Sequence, residues 1–207
     1  MSSLGIVIAS QKAVDDLGES TVQNKLSNIS SYVQNRFDED IKQSGSEYKL
    51  YFTHDSDLNY TVDLTEENSS ITDWEEATYA SQNAVDNQQG ILTSSYDVRV
   101  VFDTRNNLGA NGGSEPGGAG DSNNGTAWVC NDTPPKTAAH ELGHLYGATD
   151  YENSYTEHNT FQYGGFGRHS LMGKSLNRDC DGNQHLTITG NWFSECAAEG
   201  IREHSVW

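Results

Sequence analysis

Basic residues are scarce in this chain. Lys and Arg together number 12 of 207 residues, against 30 Asp and Glu, which leaves a formal charge of −18. A surface of that sign repels polyanions, so nucleic acid and anionic membranes are excluded as partners. The carboxylates are spread along the chain and do not form an acidic tail. They serve plain solubility or, with only six lysines, a halophilic adaptation in which salt screens their mutual repulsion. Long apolar runs are also missing: nothing approaches the roughly 18 residues of a membrane span. Cysteines number three, Cys130, Cys180 and Cys196. None forms a C-x-x-C pair, which argues against a cysteine-built zinc site and leaves room for one disulfide and one further thiol. The first ten residues lack a basic lead, and their apolar run is too short for a signal sequence. A mature, secreted form is therefore expected, extracellular and monomeric.

What is present suits one domain of moderate core size. Leu4 to Ala9 is an apolar run with the length of a buried strand. Val14, Leu17, Val22, Leu26, Ile29, Val33 and Phe37 recur mostly at three and four, which predicts one long amphipathic helix. Residues 48–53 and 98–102 read as strands. Asp73 to Gln89 reads as a helix stopped by Gly90. Residues 106–125 are polar and glycine-rich without periodicity. No Gly-Lys-Ser/Thr follows them, so a surface loop is expected and not a phosphate cradle. A short strand follows at Thr126 to Cys130. Thr133, Pro134 and Pro135 then supply a capping hydroxyl and first-turn prolines for a helix that Gly147 would end. A final helix is expected over about residues 191–203. Strands alternating with helices predict an α/β or α+β sheet lobe followed by an irregular lobe.

The helix after Pro135 carries the chemistry: His140-Glu141-Leu142-Gly143-His144-Leu145-Tyr146-Gly147-Ala148-Thr149-Asp150. Two histidines four apart share one helical face and can grip one cation. Glu141 lies about 100° round from His140, close enough to take a proton from water at the ion without being a ligand. Gly147 can adopt the left-handed conformation that turns the chain back, which brings Asp150 up as a third ligand. Three protein ligands with a fourth position open mark a catalytic zinc site, not a structural one. His158 is the competing third ligand; His169 reads as a surface residue or an outer partner. Asp179 to Asn183 lacks the closing glutamate of a calcium loop and reads as a solvated turn.

This run resembles the extended zinc motif of the metzincin metallopeptidases, H-E-x-x-H-x-x-G-x-x-H/D. Ser170-Leu171-Met172-Gly173 resembles the methionine turn of the same family, with Met172 beneath the metal. Asp150 stands where most members carry histidine, as in the snapalysin-like peptidases. Lys174 stands where some members carry a switchable tyrosine, so that device is not expected here. The resemblance implies a twisted mixed sheet ahead of the zinc helix (residues 1–147), then a C-terminal lobe (148–207), together one catalytic domain over 1–207. It places the substrate-aligning edge strand at Thr126, Ala127 and Trp128. It also suggests a Cys130–Cys196 bridge, with Cys180–Cys196 as rival. The implied activity is zinc-dependent hydrolysis of protein or peptide substrates, with His140, His144 and Asp150 holding Zn²⁺ and Glu141 as general base. The alternative is a catalytically silent zinc-fold interaction module, against which the retained Glu141 argues.

Overall fold

Alternation within the strands divides the core in two. In the computed structural model, which describes residues 2–41, 49–110, 112–115, 125–130, 135–146, 198 and 201–202, the described sheet has five strands. These are β1 (Ser2–Ala9), β2 (Lys49–His54), β3 (Val98–Asp103), β4 (Gly112–Glu115) and β5 (Gly125–Cys130), in the order β2-β1-β3-β5-β4. All neighbours are parallel except β4, which runs antiparallel to β5. Side chains two apart share a face. Val7, Val100, Ala127 and Val129 therefore meet one group of helices, while Ile6, Ile8, Val101, Trp128 and Cys130 meet the other. The expected mixed sheet flanked by helices is present.

On the first face lie α1 (Gln11–Leu17), α2 (Glu19–Arg36) and α6 (Pro135–Leu145); on the second lie α3 (Leu64–Glu67), α4 (Trp74–Gln88) and α5 (Ile91–Ser95). The single long helix expected from residue 14 to 37 is broken. Gly18 sits between α1 and α2 at φ 79°, a left-handed conformation that favours glycine, and its N–H closes α1 on Val14 O. Beyond α2, Phe37–Ile41 makes a π-helical turn. The helix at 74–88 matches expectation. Asp73 caps it by accepting from Glu76 N at 2.9 Å, while Glu76 Oε2 accepts from Thr72 N at 2.7 Å, a reciprocal cap of the kind that satisfies first-turn donors. The helix ends at its C-cap Gln89, not at the expected Gly90, which has right-handed helical backbone angles and opens α5.

Two expectations are corrected here. Thr126, Ala127 and Trp128 do not form an edge strand: β5 pairs with β3 on one side and β4 on the other, and all six of its residues are buried. Trp128 is fully buried, with its indole N–H donating to Asp103 Oδ2 at 3.2 Å. Among the described residues the edge on this side is β4, which lies within the stretch expected to be loop. At the opposite end of the described sheet, two outward backbone groups of β2 are taken by a side chain. Gln34 Oε1 accepts from Phe52 N at 2.7 Å and its Nε2 donates to Leu50 O at 2.8 Å. An amide bridging those two groups mimics a neighbouring strand and blunts that edge.

Positions 198 and 201–202 are helical, in keeping with the expected last helix. Ala198 and Ile201 are buried on the α2–α6 face, and Arg202 Nε donates to Ile41 O at 2.7 Å. Cys130 faces the other side of the sheet. Cys180 and Cys196, the two other cysteines of the expected bridges, lie outside the described residues. The Met172 turn also lies outside the described residues.

Candidate metal centre

Helix α6 begins with Pro135, whose fixed φ and missing N–H suit the first position of a helix. Ala138, Ala139, Leu142 and Leu145 pack it onto α2 and the sheet. Small residues let it come close: a Cβ on Gly125 of β5 would lie 2.5 Å from a methyl of Leu145. The end of the helix is pinned by Tyr146. Its hydroxyl and that of Ser3 are 2.7 Å apart in the core, and its ring meets Phe37 edge-on at 5.6 Å. Burial holds the Tyr146 hydroxyl well above the usual phenol range, so it stays protonated and available for that bond.

The packed face fixes where the other residues of α6 point. His140 and His144, one turn apart, are half-buried, whereas Glu141 is only 6 % exposed. The two imidazoles cross at 83° with ring centroids 4.6 Å apart, and their Nε2 atoms lie 3.2 Å from each other. Glu141 Oε1 is 3.9 Å from His140 Nε2, and one ligand atom from each of the three residues falls within a 4.8 Å group. Two nitrogens held tetrahedrally at about 2.0–2.1 Å from zinc are separated by roughly 3.3 Å, so the observed gap fits one ion bridging both rings. The donor set also fits: two imidazoles, a carboxylate alongside, and no thiolate. Among the described residues this is the one group of three such donors. The expected ligand Asp150, its competitor His158, and Gly147 lie outside the described residues.

Gly112, expected to belong to a surface loop, lies instead in β4 beside the site. A Cβ there would lie 2.8 Å from Thr137 Cγ2 and 2.9 Å from Glu141 Oε1, so the edge strand runs directly against the carboxylate. The available signal was the Gly112-Gly113 pair itself, since paired glycines between extended segments mark close backbone approach. Gly112→Ala is expected to push Glu141 aside. Overpacking of this kind costs about 1–3 kcal/mol, and displacement of a reacting group costs up to roughly a hundredfold in rate. Thermal melting and peptide turnover at equal zinc content check this; unchanged turnover would mean that the contact is absorbed elsewhere.

Comparison with known proteins agrees with the geometry. Residues 54–149 match the family described as Metallo-peptidase family M12B Reprolysin-like. That span includes His140, Glu141 and His144 and stops one residue short of Asp150. No curated protein matches the chain. Among solved structures, a chain titled "Structure of a chaperone-substrate complex" superposes with a TM-score of 0.60 at 14% identity, covering 99% of this chain and 34% of that one. At that identity the likeness concerns the fold alone, and this chain spans about a third of the solved chain's length. In motif and sheet the chain is metzincin-like, and at the family level this supports a zinc-dependent metallopeptidase.

Proposed function

We propose that this metzincin-like chain is a zinc endopeptidase in which His140, His144 and Asp150 hold the ion and Glu141 is the general base. The observation that carries the proposal is the 3.2 Å convergence of the two histidine nitrogens with the Glu141 carboxylate beside them. Zinc, when bound, supplies Lewis acidity that brings the pKa of water toward about 7 and polarises a carbonyl. Everything else falls to the chain's own residues. Glu141 takes a proton from the attacking water as the new C–O bond forms at the scissile carbon. It then gives that proton to the amine nitrogen as the C–N bond breaks. Its burial against Gly112 holds the carboxylate in one place for both transfers.

Substrate enters as an extended peptide added to β4. The outer backbone groups of an edge strand offer hydrogen bonds to a second chain, and β4 passes within contact of Glu141. β2 is the less open edge, because Gln34 occupies Phe52 N–H and Leu50 C=O there. The enzyme acts as an extracellular monomer on protein or peptide substrates.

Incubation with casein tests the proposal. Cleavage is expected to stop on removal of metal by a chelator and to return with added zinc. Cleavage that ignores the chelator, or none in the presence of saturating zinc, would overturn it.

A further inference from the structure

Opposed residues of two paired strands present their side chains to the same face of the sheet. This makes the two glycines of β4 informative. Gly112 faces α6 and Glu141. Gly113 faces α4, where a Cβ would lie 2.3 Å from Thr78 Oγ1 and 2.6 Å from Cε3 of the Trp74 indole. A peptide paired to β4 therefore sends one residue toward Glu141 and the next residue, opposite Gly113, toward Trp74. The Cβ of that residue stands about 4.5–5.5 Å from its strand partner, within side-chain reach of the indole. Trp74 is available for contact: it is 36 % exposed, whereas the neighbouring Trp128 is fully buried.

The surroundings of Trp74 specify charge. Asp73 precedes it, and Glu75 and Glu76 share its helical turn. Three carboxylates outweigh the roughly half unit of positive charge at a helix start. No Lys or Arg occurs between Lys49 and Arg99, a stretch that carries ten Asp and Glu. A neutral apolar side chain would gain only the indole surface there. A cationic one gains the indole face and the carboxylates as well.

We infer that Trp74, with Glu75, forms a substrate subsite for an arginine or lysine side chain next to the residue that faces Glu141. The inference rests on the endopeptidase proposal and on peptide pairing with β4. It assigns Trp74 a role in specificity and not in bond breaking.

Peptides that differ at a single position, arginine against the neutral norleucine, test it. At one position of the substrate the wild type should prefer arginine by about tenfold in kcat/KM, a sum of cation–π and ion-pair contributions. Trp74→Leu, which keeps an apolar group against Gly113, should lower that ratio to roughly twofold to threefold. Glu75→Gln should weaken its dependence on salt. Binding of the same peptides to zinc-loaded Glu141→Gln, followed by fluorescence anisotropy, should show the same discrimination without turnover. Equal use of arginine and norleucine at every position, or a preference that both variants retain, would overturn the subsite while leaving zinc-dependent cleavage intact. No chelator-sensitive cleavage of any peptide would remove the endopeptidase proposal and the subsite together.

Discussion

Glu141→Gln is expected to keep zinc and the fold while peptide hydrolysis falls by about 10²–10⁴-fold, the usual loss of a general base. The loss should lie toward the upper end, because the proposed mechanism uses the same carboxylate in both proton transfers. Glutamine matches glutamate in size, so the close packing against Gly112 is preserved. Binding of the ion should persist, because the two imidazole nitrogens already converge without the carboxylate. What glutamine cannot do is accept and return a proton. Elemental analysis beside turnover on a fluorogenic peptide separates the outcomes. Near-normal turnover would remove Glu141 from the mechanism; depleted zinc would make it a ligand.

The second large effect belongs to the proposed third ligand. Asp150→Ala is expected to lose most bound zinc and all measurable hydrolysis, while His158→Ala retains both. Two histidines on one helix leave a zinc site one protein ligand short of the catalytic pattern. Removing even an outer partner of a metal ligand typically costs about 10–100-fold in affinity or activity, and losing a ligand itself should cost more. Asp150→His should rebind zinc. A carboxylate ligand leaves the site one charge lower than a third histidine would, so water at the ion is less acidified and the working pH of the native enzyme should lie above that of Asp150→His. Full zinc in Asp150→Ala with depletion in His158→Ala would transfer the role to His158.

Much of this was legible in the sequence, for identifiable reasons. His140 and His144 share a face because helical spacing leaves no alternative once Ala138, Ala139, Leu142 and Leu145 are assigned to the core. Strands β1 and β3 announced themselves as apolar runs. The break at Gly18 was visible only as the five-residue step from Leu17 to Val22, which a stripe of threes and fours tolerates once. β4 was not legible, because the close approach of Trp74 on one face and Glu141 on the other requires glycine at 112 and 113. Glycine erases the alternation by which strands are recognised. The misplaced edge has a related cause. Periodicity reveals a strand but not its neighbours, and the assignment of Thr126 to Trp128 came from family resemblance alone. The apolar run from Ala127 to Cys130 was the counter-signal, since strands buried on both faces lose their polar alternation.

X-ray absorption at the zinc edge of the purified holoenzyme tests the central claim most directly. One zinc per chain should appear, surrounded by nitrogen and oxygen at about 2.0–2.2 Å with the outer-shell scattering of two imidazoles. That outer-shell signature should disappear in part from His140→Ala and His144→Ala. A sulfur scatterer near about 2.3 Å, or a protein that hydrolyses peptides with no zinc in it, would contradict the site described above.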